Sequence, residues 1–490
     1  MPIKPSAVTA CLLMRLAVLA SGWLVQPLLA AAPTADQASQ SVTSAPSDTA
    51  LATLLARYRE LHQHPELSRH ESWTAAYLAG ALRAQGMTVT EHLGHYRDGL
   101  AAEGVMAVLD NGPGPRILLR TELDALPVVE KTGLPYASQL RTMDDAGQTV
   151  GVAHACGHDI HITAVIGTVE RLLAQRTQWH GTLMVVGQPA EEVLEDGARA
   201  MLADGVYDRF GRPDVVLAMH DVSDIAAGAV GVVSGPFKSS ATDIDIVMRG
   251  IGGHGAKPEQ TKDPVLMAGE LIVLLQGIVS RQNNPQEAAV ITVGKVSGGT
   301  KRNIIPEEVR LEISMRSFRE EQRLAMIEAI RRTANGVAIA AGVPEDRLPV
   351  VTVSGYIPVT VNDAAIANRF RTVAQAEFGA DHLVETRPSM ASEDFGAWSL
   401  PDHSVPVFCF WLGASDPAKV QESERTGVPL PATHSPQFAP VAEPTLRTGV
   451  QALTALTLSL FEQWPERLAH RSGHGTGLPV SVAPSPSAGR

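Results

Sequence analysis

The chain has 490 residues, 44% of them hydrophobic, and a formal net charge of -12 at neutral pH. That length admits two or more domains and a sizeable core. The acidic balance, with no basic run, argues against a nucleic-acid partner and says little about substrate.

The N-terminal segment sets Lys4 and Arg15 ahead of an apolar run, LAVLASGWLVQPLLAAA, that ends in small residues around Ala30 to Ala32. Basic, apolar and small in that order predict a secretory signal peptide over residues 1–32. The alternative, a retained membrane anchor, is disfavoured by the short run and its Pro27. Cys11 precedes the run instead of closing it, which argues against a lipoprotein. Residues 33–48 read as a flexible leader, and no later segment reads as long and apolar enough to span a bilayer. The mature protein is therefore expected to be exported, periplasmic or secreted, without stable membrane association. Export favours disulfides, yet only Cys156 and Cys409 remain after cleavage. A bridge between them has no spacing signal, and Cys409, inside VPVFCFW, reads as a buried structural thiol.

Past the leader, strand-like and helix-like segments alternate, which predicts an α/β fold. Leu51 to Leu61 and Ser72 to Gln85 read as amphipathic helices. RILLRT (116–121) is a short buried strand leading into ELDALP. HACGHDIH, from His154 to His161, comes next, and a helix is expected over Thr163 to Gln175. TLMVVG (182–187) is a second strand leading into QPAEE, and DVVLAM (214–219) a third that ends at His220. Ligands of open α/β sheets bind outside the carboxyl ends of the strands, where Asp124, Glu191, Glu192 and His220 all fall. A catalytic domain is expected over residues 49–236 and 356–465. Between its halves, residues 237–355 read in β-α-β-β-α-β order, as a ferredoxin-like insertion. The main sheet resumes near Val361 to Phe378 and Val405 to Leu412, and residues 466–490 read as a disordered tail.

The histidines and cysteine of HACGHDIH suit zinc and its transition-metal neighbours. In an extended loop, side chains two apart share a side, so Cys156 and His158 reach one centre. The rival readings are a redox cysteine with incidental histidines, or a polar loop without chemistry. Glu191 and Glu192 would point to opposite sides of an extended chain, one to a metal and one to an attacking water. Such a pair is otherwise solvated surface. His220 reads as a ligand or a hydrogen-bonded core histidine, and His434, in PATHSPQF, as a ligand or surface decoration. Together these residues supply five N, O and S donors, enough for two metals.

The segments LHQHPELSRHE, RTELDALPVVEKTGLPY, HACGHDIH, GQPAEE, AMH, GGHGAKP, RNIIPEEV, MASEDF and THSPQF resemble, in order, those of a known family. It is the aminoacylase and hippurate hydrolase group of dinuclear-metal amidohydrolases, co-catalytic metallopeptidases that include plant indole-acetyl-amino-acid (auxin-conjugate) hydrolases. The resemblance covers roughly residues 55–440. It implies a zinc-peptidase-like α/β/α catalytic domain with an inserted ferredoxin-like lid and dimerisation domain. It further implies two divalent metal ions (Zn, Mn, Co or Ni) on Cys156, His158, Glu192, His220 and His434, with Glu191 as general base and then proton donor. His254 is implied to support the substrate oxyanion, often from the other subunit of a homodimer. Asn303 and Arg316 resemble the positions that grip a substrate carboxylate, against a turn asparagine and an exposed strand arginine. Asp124 is implied to orient a ligand histidine, against a structural salt bridge.

The implied reaction is hydrolysis of an N-acyl amino acid, or a short peptide, by a metal-activated water. A dipeptidase or carboxypeptidase on the same centre, a non-catalytic exported binding protein and a redox protein using Cys156 are the alternatives. Two departures stand out. Glu122 occupies a position where the family usually has Asp. DVSDIAAG follows His220 where the family more often has Val and a Trp-Pro loop, a segment expected to shape the substrate pocket.

Overall fold

A computed structural model describes residues 44–193, 196–462 and 464. The expected signal peptide, most of the leader and the C-terminal tail lie outside the described residues.

The body is a ten-stranded sheet with helices on both faces. Its strands are β1 (Thr88–His95), β2 (Ala101–Asp110), β3 (Arg116–Glu122), β4 (Thr182–Gln188), β5 (Val215–Ala226), β6 (Val230–Val232) and β7 (Gly235–Lys238). After four strands of the inserted module, β8 (Ser240–Arg249), β9 (Ala289–Gly298), β10 (Glu308–Ser317) and β11 (Val350–Ile357), come β12 (Thr360–Asn362), β13 (Leu383–Glu385) and β14 (Val407–Ser415). The spatial order is β1-β2-β4-β3-β5-β14-β12-β7, with β6 and β13 as a side branch on β14. From β4 to β12 neighbours run parallel. Buried on both faces, β4 has no exposed position, and its run of apolar residues shows none of the alternation of a half-exposed strand.

Helix α1 (Asp48–Gln63) starts at Ser47, whose side chain accepts the Ala50 N–H, and buries Leu51, Leu54, Tyr58 and Leu61 at helical spacing. Helix α2 (Ser72–Ala84) packs over β1 and β2, and its Tyr77 hydroxyl donates to Glu60 of α1. Helix α3 (His158–Ala174) is buried almost all round, between the sheet, α1 and the C-terminal helix Ala442–Glu462. It begins at His158, five residues before the predicted start, because Gly157 at φ 75 turns the chain directly into it. Residues 361–378 are only briefly strand and then a helix, Ala364–Phe378.

The inserted module has its own sheet: β8 (Ser240–Arg249), β9 (Ala289–Gly298), β10 (Glu308–Ser317) and β11 (Val350–Ile357). Their order is β9-β10-β8-β11 and all neighbours are antiparallel, the ferredoxin-like arrangement. One face packs Ile244, Ile246, Leu311 and Ile313 against helices Pro264–Gly277 and Glu320–Ala340. The segment Pro264–Gln282 is by length and composition apolar enough to cross a membrane, contrary to the sequence expectation. In the lid it packs Met267, Ala268, Leu271 and Leu275 into this core. The lid joins the body at Lys238–Ser240 and Ile357–Thr360.

Candidate metal centre

β5 pairs with β3 only from Val215 to Leu217, then leaves it while staying on β14 as far as Ala226. His220 therefore lies within a strand, not at its end, beside the gap that opens between β3 and β5. His161, from the second turn of α3, fills that gap. Its Nδ1 bonds Glu122 Oε2 (2.9 Å), and its Nε2 receives the Asp221 N–H (3.0 Å) that β3 no longer satisfies. The two departures from the family pattern, Glu122 and Asp221, thus meet on one histidine.

Cys156 sits in the turn before α3, and its Sγ lies 3.6 Å from His220 Nε2. The turn at Gly157, not an extended loop, brings Cys156 and His158 to one side. A Cβ at Gly157 would collide with the buried Asp221 carboxylate. His158 Nδ1 bonds the Asp124 carbonyl oxygen at 2.7 Å, closer than the Asp124 carboxylate at 3.3 Å, which leaves Nε2 facing the centre. His220 Nδ1 bonds the Asp221 carbonyl at 2.7 Å and likewise frees Nε2.

Glu191 and Glu192 follow β4 in a turn, after Ala190 at φ 48. The opposed directions expected of an extended pair do not hold. Both carboxylates lie near His158 Nε2, Glu191 at 3.7 Å and Glu192 at 3.9 Å. The turn is held from below by buried Glu71, whose Oε1 accepts the Ala190 N–H at 2.7 Å, and by Asp124 Oδ2, which accepts the Glu192 N–H at 2.9 Å. His434, at φ 69, is anchored by its own N–H on the Ala155 carbonyl (2.7 Å) and brings Nε2 to 3.3 Å from Glu192 Oε1.

Four separate chain segments therefore bring Cys156, His158, Glu192, His220 and His434 together. The donor atoms of Cys156, Glu192 and His434 lie within 4.8 Å of one another, as do those of His158, Glu191 and Glu192. Among the described residues, His158 Nε2 and Glu192 Oε1 are buried without a hydrogen-bond partner. Buried polar atoms without partners are costly, and divalent ions in this mixed His, thiolate and carboxylate set would satisfy them. The residues fit a two-metal centre.

Burial raises the proton affinity of Glu191 well above the usual carboxylate range, reinforced by the charges of Glu393 and Glu192. Burial also pushes the Cys156 thiol up and the His220 imidazole down, in each case favouring the neutral form.

The lid residues divide. Arg316, on β10, is half-buried and donates to Ser392 Oγ at 2.5 Å, so it reaches the body at the MASEDF segment. His254 and Asn303 are exposed neighbours on a two-stranded turn, where Gly255 N–H bonds the Asn303 carbonyl. The hydrogen bonds of His254 stay within the lid.

Sequence reasoning missed the polar frame under the centre. Arg120 is buried and bonds Glu122, Glu393 at 2.8 Å and Asp394 at 3.0 Å. His62 bridges Asp159 (2.6 Å) and Glu130 (3.1 Å). The signal available was their place in the motifs RTELD, MASEDF and LHQHPE.

Known proteins match this chain over most of its length. The model of peptidase family M20/M25/M40 matches residues 118–456. An N-acetyldiaminopimelate deacetylase of Limosilactobacillus fermentum is 35% identical over 396 residues, 81% of this chain and 94% of its own. An N-acetylcysteine deacetylase of Bacillus subtilis is 33% identical over 362 residues, 74% of this chain and 88% of its own. The solved structure of the Bacillus subtilis YXEP protein, a dinuclear metal-binding peptidase from the M20 family, superimposes with TM-score 0.68 at 29% identity. It covers 85% of this chain and 99% of that one.

Proposed function

The chain belongs to peptidase family M20/M25/M40 and is a metal-dependent amidohydrolase with a two-metal centre, and from that premise we propose that it hydrolyses N-acyl amino acids with Glu191 as general base. The reading rests chiefly on Glu191, 9% exposed, set 3.7 Å from the unpartnered Nε2 of His158. The deacetylase relatives support an N-acyl amino acid as the substrate class; hippurate, an N-benzoyl amino acid, tests its upper size.

Cys156, His158, Glu192, His220 and His434 would hold the two ions. Bound there, divalent ions supply Lewis acidity that lowers the pKa of a water and polarises an amide carbonyl. Glu191 takes the water's proton as oxygen attacks the amide carbon, then hands it to the leaving nitrogen as the C–N bond breaks. The products are a carboxylate and a free amino acid. A buried carboxyl with raised proton affinity suits both halves of that shuttle.

In this reading the unit is a homodimer formed through the lid. Val265, Leu266, Val273 and Leu274 are 51%, 62%, 72% and 50% exposed on one lid helix, and β9 is an edge strand. Exposed apolar residues beside an unpaired edge suit a second copy. His254 and Asn303 would then serve the neighbouring subunit's centre, with His254 stabilising the oxyanion, while Arg316 reaches its own. Residues 1–32 direct export of the enzyme to the periplasm or medium.

The test is amino-acid release from N-acetyl and N-benzoyl amino acids and dipeptides by metal-free, zinc-loaded and manganese-loaded protein. Metal-dependent release is expected, reduced about 10²-fold or more in Glu191→Gln with both metals retained. Full turnover in that variant removes Glu191 as base, and preference for dipeptides makes the enzyme a dipeptidase.

A further inference from the structure

The MASEDF segment belongs to no step of the reaction, yet it carries two buried carboxylates, Glu393 and Asp394, beside the proposed base. Oxygen atoms of Glu191, Glu393 and Asp394 lie within 4.8 Å of one another. This is no third metal site, because its counter-charge is already present. Arg120 bonds both Glu393 and Asp394, and a second cation, Lys238, reaches Glu393 Oε2 at 3.3 Å.

Lys238 is 4% exposed and closes the last strand before the lid. Its ammonium lies 5.6 Å over the ring of Trp411, whose indole packs edge-on against His220 at 5.6 Å. Glu191 and the Cys156 thiol are among its electrostatic neighbours. The next residue, Ser239, donates its N–H to the Ser389 and Ala391 carbonyls and its hydroxyl to that of Met390. The chain entering the lid and the segment carrying Glu393 are thus stitched together. Arg316 holds the same segment from the lid through Ser392, and Thr360 Oγ1 bonds the Glu393 carbonyl.

We propose that Lys238 and Glu393 are a positioning pair, which holds the carboxylates around Glu191 in register with the root of the lid. The inference rests on Glu191 being the base. Without Lys238, Glu393 keeps one cation among three carboxylates, and its repulsion of Glu191 is no longer balanced. A displacement of about 1 Å at the base is worth roughly 10²-fold in turnover. Lys238 acts through Glu393 and does not touch substrate.

The experiment compares metal-loaded full-length Lys238→Met, Lys238→Arg, Glu393→Gln and the double variant Lys238→Met/Glu393→Gln on the N-acyl amino acid the parent turns over best. Expected for Lys238→Met is a fall in kcat of roughly 10- to 10²-fold, with KM and two bound metals per chain unchanged. Arginine should restore part of the rate. The double variant should exceed Lys238→Met, because neither charge is left buried alone. If Lys238→Met does not fold while the double variant does, the pairing is supported equally. A double variant no better than Lys238→Met overturns it, as does a raised KM at unchanged kcat, which would put Lys238 on the substrate. Glu191→Gln run in parallel separates the two readings. An active Glu191→Gln removes the base, whereas an inactive one beside a fully active Lys238→Met removes only the positioning pair.

Discussion

The catalytic body and the lid solve opposite problems. The body takes charge out of water: Arg120, Glu122, Asp124, Asp159, Glu393 and Asp394 are each 4% exposed or less. The lid leaves apolar surface in water, with Val273 72% and Leu266 62% exposed on one helix. Buried charge holds a constellation rigidly because every misplacement is costly. Exposed apolar surface carries little energy in the isolated chain and acquires value only when covered. The contrast says where to look for each proposed role: the general base in the body, the subunit contact on the lid.

The most severe way to break it is Arg120→Met. Removing the one guanidinium shared by Glu122, Glu393 and Asp394 leaves buried carboxylates uncompensated, an expected loss of about 3–5 kcal/mol in chemical denaturation. A variant as stable as the parent would mean that the body does not depend on its buried charges. Gly157→Ala is next. It places an L-residue at φ 75 with its Cβ against Asp221, a cost of about 2 kcal/mol or more, measurable in the same titration together with lost metal binding.

His62 sharpens the comparison through pH. Burial alone would lower its pKa, but bonds to Asp159 and Glu130 outweigh that and hold it at about 10. A folded pKa above the unfolded value near 6.5 stabilises most below pH 6.5, and the contribution is lost as pH rises through 10. Thermal unfolding from pH 7 to 10.5 should therefore show an alkaline decline that His62→Gln flattens. Leu266→Glu with Val273→Glu should do least to folding, within about 0.5 kcal/mol, yet yield a monomer by light scattering. A dimer that survives both substitutions would place the interface elsewhere.

Much of the fold was legible because its determinants are local. The apolar runs of β3, β4 and β14, the helical spacing in α1 and the alternation in β8 are statements about neighbours in sequence. The candidate donor set was legible for a different reason. HACGHDIH, the Glu pair, His220 and THSPQF carry residue types whose chemistry is specific even before they are assembled. Two of the errors arose where a single backbone dihedral redirects the chain. Gly157 begins α3 five residues early, and Ala190 at φ 48 turns both glutamates toward His158. Neither angle can be read from residue type alone, since the second belongs to an alanine held by Glu71 from far upstream.

The sequence by itself determined the α/β order, the ferredoxin-like insertion and which residues carry metal-donor atoms, since periodicity and donor chemistry reside in the chain. Only the tertiary structure decided which motifs meet. RTELD, MASEDF and the lysine at the root of the lid are separated by more than a hundred residues, and Arg120, Glu393 and Lys238 come within bonding distance only when the sheet and lid are complete. The physical reason is that a buried charge must find its partner in three dimensions. That requirement is indifferent to distance along the chain.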